Sequence, residues 1–97
     1  MKIRLLKSAI ADLVAGYRFY HQQEEYLGEY FLDTLTADID SLQLFAGIHS
    51  IHFNKYFRML SSRFPFAVYY KINDNVVVVY AVLDCRANPR KAKTRLQ

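Results

Sequence analysis

The stretch that decides the fold runs from Arg63 to Leu83, RFPFAVYYKINDNVVVVYAVL. It reads as two apolar strands joined by the polar knot Asn73-Asp74-Asn75, residue types that tolerate the left-handed backbone of a tight hairpin. In the first arm Phe64, Phe66, Val68 and Tyr70 fall on one face, and Pro65, Ala67, Tyr69 and Lys71 on the other. The second arm, Val76 to Leu83, is apolar on both faces, the pattern of a strand in the middle of a sheet. The rest of the chain must cover this hairpin, flank it or use it.

Upstream of it, Lys55 to Leu60 forms another strand. If Phe57 and Met59 join the Phe64–Tyr70 face, Tyr56, Arg58 and Leu60 point the other way. Ser61-Ser62 makes the turn, and residues 48–54 read as a connection. Further back lie two amphipathic helices. The first runs from about Ala9 to Glu25, with Ser8 as N-cap and Ile10, Leu13, Val14, Tyr17 and Tyr20 at helical spacing. The second runs from about Glu29 to Ala46, burying Phe31, Leu35, Ile39, Leu42 and Phe45. Gly28 reads as the break between them, and Gly16 as a helix glycine costing about 1 kcal/mol. Lys2 to Leu6 is a short strand. The order is β-α-α-β-β-β, an α+β fold in which an antiparallel meander packs on an N-terminal helical hairpin. The hairpin covers one sheet face, which leaves the other as an open, partly basic surface.

The 97 residues make one domain, 1–97, and just over half are hydrophobic, which argues against disorder. A single cysteine, Cys85, allows no internal disulfide and fits a reducing compartment. No apolar run approaches the roughly 20 residues of a membrane helix, so a soluble cytoplasmic protein without membrane contact is expected. Charge is segregated. Residues 21–50 carry six acids and no Lys or Arg, whereas residues 51–97 carry nine bases against Asp74 and Asp84, a net of +7. Either these are solvated faces of different sign, or the basic half meets an anionic partner. The tail 86–97 carries five bases and no acid, and reads as a loop followed by a frayed helix or disorder.

No metal set is visible among His21, His49, His52 and Cys85, and no cofactor is implied. Glycine-rich phosphate loops and serine nucleophile elbows are absent. What remains is bases beside aromatics: Tyr56, Arg58, Tyr69 and Lys71 on the uncovered face, Arg86 after the last strand, and Arg90 in the tail. These are the candidate binding residues, since guanidinium groups suit phosphate or carboxylate and tyrosine offers a stacking platform. The alternation and the strand end place Arg58 and Arg86 side by side across the open face.

These residues resemble the RelE/ParE superfamily of toxins from bacterial type II toxin–antitoxin systems. The resemblance rests on Arg63-Phe64-Pro65-Phe66, the Tyr69-Tyr70-Lys71-Ile72 strand end, the Asn-Asp-Asn turn, and Val76–Leu83 followed by Asp84-Cys85-Arg86-Ala87-Asn88-Pro89. It implies a growth-inhibiting toxin, of the kind tied to plasmid stabilisation, that a cognate antitoxin neutralises in a hetero-oligomer. The nuclease branch of that superfamily cuts messenger RNA on the ribosome. Aligned on Tyr70-Lys71-Ile72, its basic positions fall on Arg58, Leu60, Ala67 and Arg86, so only two are kept. No Tyr or His follows Arg86, and Asp84 stands where many relatives carry His. The resemblance therefore favours the ParE-like branch, a binder that inhibits DNA gyrase, over an enzyme. The alternative is a ribosome-dependent mRNA endonuclease using Arg58, Arg63 and Arg86, and a third reading is a degenerate member that only binds antitoxin.

Overall fold

The computed structural model describes residues 1–97. The Arg63–Leu83 hairpin is its centre: β4 (Phe66–Asn73) and β5 (Val76–Asp84) are antiparallel, in register from Phe66↔Asp84 to Asn73↔Val76. The two turn residues Asp74 and Asn75 are both left-handed, with φ of 49° and 65°, as a type I′ turn demands. β3 (Tyr56–Leu60) adds antiparallel to β4, and the first strand, β1 (Lys2–Leu5), lies parallel to β5. A strand not expected from the sequence, β2 (Ser50–His52), pairs with β3 across a turn where Phe53 and Asn54 are both left-handed. The sheet order is β1-β5-β4-β3-β2, mixed rather than wholly antiparallel: the helices carry the chain from β1 to β2 at the far edge, and the antiparallel meander then brings β5 back beside β1 in the same direction.

Two helices pack on one face, α1 (Lys7–Gln23) and α2 (Glu25–Asp40), followed by the single turn α3 (Leu42–Phe45). The break falls at Glu24, not at Gly28. Gly28 is buried inside α2, where a Cβ would stand 2.8 Å from the His21 Cβ and 3.0 Å from the Tyr17 carbonyl. Gly16 is its counterpart on α1, where the Phe31 ring takes the space a Cβ would need. Both glycines permit close helix contact, which outweighs their helix penalty. The buried stripe of α1 is Ala9, Leu13, Gly16 and Tyr20, so Ile10 and Val14 are exposed; Phe45, expected in the core, is exposed as well.

Ser8 does not cap α1. Its hydroxyl donates to the Tyr80 carbonyl at 3.0 Å, and one turn later the Asp12 carboxylate accepts from the Val82 amide at 2.9 Å. β1 ends at Leu5, so these two side chains of α1 take over the edge of β5 that β1 leaves unpaired. The helix-side core gathers Leu13, Tyr20, Phe31, Leu35, Leu42, Phe66, Val68, Tyr70, Val77 and Val79, with Phe57 and Phe64 packed against it. The sequence-derived register of β3 and β4 is the one observed.

The second face is not open. The tail forms α4 (Pro89–Leu96), started by Pro89 and capped by Asn88, whose side chain accepts from the Arg90 amide at 2.9 Å. Leu96 is buried against Tyr56, Ala67, Tyr69 and Ala81, and Arg95 makes a bidentate pair with Asp12 at 3.0 and 2.8 Å. One apolar anchor and one ion pair thus order a segment whose composition reads as disordered.

Candidate functional site

A one-residue irregularity in β5 sets the layout of the second face. Tyr69 pairs with Ala81 and Tyr70 with Val79, so Tyr80 is an extra residue, a β-bulge. The bulge reverses the alternation beyond it. Val77 and Val79 face the helices; after Tyr80 the helix-facing residue is Val82, and Leu83 joins the second face. Extended to the strand end, the shift turns Asp84 and Arg86 towards α1 and Cys85 towards the second face. A strict period of two would place them the other way round.

Arg86 accordingly lies against α1. Its guanidinium holds Asp84 at 2.8 and 3.1 Å, donates to the Tyr20 hydroxyl at 3.3 Å, and stands 6.0 Å above the Phe19 ring. The hydrogen bond from Arg86 holds the Asp84 carboxyl below the usual carboxylate range, and Asp84 raises the Arg86 pKa in turn. The side-by-side placement of Arg58 and Arg86 is therefore overturned: the bulge sends Arg86 to the helix side, where a carboxylate already neutralises it.

Arg58 occupies a different setting. It lines a cleft of about 360 Å³ between the β2–β3 turn, the end of β5 and the first turns of α4. Its Nε donates to the Tyr69 hydroxyl at 3.1 Å and its Nη2 approaches the Cys85 Sγ at 3.4 Å. The molecule's two ion pairs are Asp84–Arg86 and Asp12–Arg95, so Arg58 has no carboxylate partner. Lys91, also on the cleft wall, has none either. Asp84 also lines the cleft but is held by Arg86, so Arg58 and Lys91 stay without an ion-pair partner there and attract an anionic group, to which charge-assisted hydrogen bonds contribute about 1.5–3 kcal/mol each.

Phe53 forms part of the same wall, and its backbone is unusual. A bulky residue at φ 57° takes a conformation that costs roughly 1–2 kcal/mol. Its ring lies 6.2 Å from that of Tyr69, and both residues line the cleft with Arg58. Strain retained at a cleft wall is a mark of a functional position. His52 also lines the cleft, its Nε2 engaged with the Ser50 hydroxyl at 3.1 Å.

The other expected site residues fall elsewhere. Lys71 sits on the second face, its Nζ 5.0 Å from the Tyr56 ring and 5.1 Å from that of Tyr80, an internal cation–π cage. Tyr56 is buried in the Leu96 cluster. Arg90 is exposed on the outer side of α4 near Lys91, Thr94 and Arg95. Arg63 is exposed in the loop between β3 and β4 and lines none of the cavities. Of the expected set, Arg58 and Tyr69 come together in the cleft. Phe53, Cys85 and Lys91 complete it and were not anticipated: Cys85 depends on the bulge, Lys91 on the docking of α4, and Phe53 on a turn that gives no glycine signal. No three His, Cys, Asp or Glu side chains gather as a metal site would require.

Two helices on one face of a mixed five-stranded sheet, with a meander of β2 to β5 and β1 parallel to β5, make an α+β fold of the RelE/ParE type. Among solved structures, the chain is similar to one in the chromosomal ParDE TA system from P. aeruginosa, with a TM-score of 0.78 over 84% of this chain and 92% of that one. Sequence identity is 16%, so the likeness is one of fold. No protein-family model and no curated protein matches the chain.

Proposed function

We propose that this chain is the toxin of a type II toxin–antitoxin pair, which inhibits an essential macromolecular target and is neutralised by a cognate antitoxin protein. The observation that carries the reading is the likeness of fold, over 84% of this chain, to a chain of a ParDE system. The target favoured by resemblance is DNA gyrase, bound rather than chemically altered. The layout of the arginines supports a binder. In-line cleavage of RNA needs a base, an acid and charge stabilisation around one phosphate. Arg58, Arg63 and Arg86 lie in three separate places, the last already neutralised by Asp84. No helix is long and apolar enough to cross a membrane, which fits a target inside the cell.

The ribosome-dependent endonuclease remains a second reading on one observation: His52, Arg58 and Lys91 line the same cleft. Expressing the chain alone while following DNA supercoiling and messenger integrity separates the two. Growth arrest with disturbed supercoiling and intact messages is expected. Codon-positioned cuts abolished by Arg58→Ala would establish the endonuclease instead, and normal growth at high soluble expression would leave a degenerate, antitoxin-binding member.

A further inference from the structure

The basic side chains that lack an ion-pair partner gather on one side of the molecule. α4 carries Arg90, Lys91 and Lys93, all exposed, and no carboxylate side chain occurs from Cys85 to Gln97. The ion pairs are Asp84–Arg86 and Asp12–Arg95, so these three cations have none. The β2–β3 turn extends the patch, since Lys55 lines a shallow cavity with Lys93. Lys91 lines a second beside Arg90 and a third, the cleft, beside Arg58. Among the residues of all three, Asp84 alone is acidic, and Arg86 holds it. The acids Glu25, Glu29 and Asp33 lie on α2, across the sheet.

The chemistry of the patch selects its occupant. α4 packs on the sheet through Leu96, and the rest of its surface presents Arg90, Lys91, Lys93, Thr94 and Gln97 with no large apolar or aromatic residue exposed. A protein partner needs an apolar centre to its interface, a membrane needs side chains that insert, and a single strand needs a ring to stack on. α4 offers none of these. A duplex backbone needs only cations at spaced positions, each releasing a counterion as it meets a phosphate. The major groove of B-form DNA, about 12 Å wide, admits an α-helix, whereas that of an RNA duplex is too deep and narrow.

We infer that α4, with Lys55 of the neighbouring turn, is a docking surface for duplex DNA, held through the phosphate backbone without regard to sequence. The inference does not depend on the toxin reading. A fluorescent DNA duplex longer than the patch is the probe, followed by anisotropy over a range of salt. Binding should be the same for unrelated sequences and should weaken as salt rises, with a slope of log affinity on log salt of about −3 to −4 for Lys55, Arg90, Lys91 and Lys93. Arg90→Gln combined with Lys93→Gln, both at exposed positions, should weaken binding about tenfold or more and bring the slope about 2 nearer zero. Lys55→Gln, outside α4, should bring it about 1 nearer zero, an effect that loosening of α4 does not explain. Arg18→Gln, exposed on α1, should bind as the parent does. Absence of binding at about 50 mM salt, or a slope unchanged in both patch variants, would overturn the proposal. So would equal binding of a single strand, of an RNA duplex or of phosphatidylserine vesicles. Self-association abolished by the double variant would assign the patch to a second copy instead.

Discussion

The two faces of the sheet are built on different terms. The helix-covered face is a fourteen-residue cluster in which Phe31 alone meets the rings of Tyr20, Phe64 and Phe66 at 4.9 to 5.2 Å. The second face is a five-residue cluster closed by Leu96 from an eight-residue helix with four basic side chains. One face holds the fold; the other is thinly covered and rich in cations without partners. On the proposed reading stability and binding are segregated by face, and substitutions on the two sides should separate cleanly.

The largest effect belongs to the first face. Phe31→Ala removes a fully buried ring from the point where both helices meet the sheet, and should destabilise the protein by about 3–5 kcal/mol. Denaturant unfolding measures it. A loss below about 1 kcal/mol would mean the two faces are equivalent in weight. Leu96→Ala should act differently, although Leu96 is just as buried. The cost of undocking α4 caps the loss, so hydrogen exchange in residues 89–96 should rise far more than global stability falls. Equal effects on exchange and global unfolding would show α4 to be part of the cooperative core.

How much of this was legible follows from where the pattern is periodic. The alternation Phe64, Phe66, Val68, Tyr70 buries one face over a long strand, and a one-residue slip would expose all four, so register is strongly specified. The helical stripe through Phe31, Leu35, Ile39 and Leu42 is equally plain. Gly28 misleads because a glycine that permits close helix contact looks in sequence like one that ends a helix. The bulge at Tyr80 misleads more, since Val-Val-Val-Val-Tyr-Ala-Val-Leu is apolar throughout and hides a change of phase. That hidden change exchanges Arg86 for Cys85 at the cleft, and with it the expected site. α4 escapes notice because its tertiary hold is one leucine and one arginine acting on Asp12, a residue more than eighty positions away.

Asp12 links the two faces, and breaking it tests the link. Its carboxylate serves the Val82 amide on β5 and Arg95 on α4 at once. Asp12→Ala leaves a part-buried amide unsatisfied and should cost about 1–3 kcal/mol, while Arg95→Ala leaves that amide satisfied and should cost less. If the two variants unfold alike, the strand-edge role of Asp12 carries no weight. A smaller effect is expected at Phe53. Phe53→Asn relieves a left-handed phenylalanine and loses its packing on Tyr69, so stability should move by less than about 1 kcal/mol in either direction. If the proposed inhibition of a target runs through the cleft, growth arrest should weaken in the same variant.

The smallest expected effect lies at the margin of the helix-side core and depends on pH. The Tyr70 oxygen accepts from the Gly47 amide, and the same hydroxyl shares a hydrogen bond with Nδ1 of His49 whose direction follows the imidazole tautomer. Burial lowers the His49 pKa from its ordinary 6.5 and raises that of Tyr70 from its ordinary 10.0. For His49 the unfolded chain takes up its proton first as pH falls, so stability is complete above 6.5 and declines as the pH drops below it. For Tyr70 the unfolded chain loses its proton first as pH rises, so stability declines again above 10.0. His49→Gln keeps a polar group able to donate to or accept from Tyr70 but cannot titrate. Its unfolding midpoint should therefore fall less steeply than the parent's on acidification, with the alkaline limb unchanged. Parallel acid limbs in the two proteins would place the pH dependence outside this pair and leave Gly47 and Tyr70 as a purely structural tie.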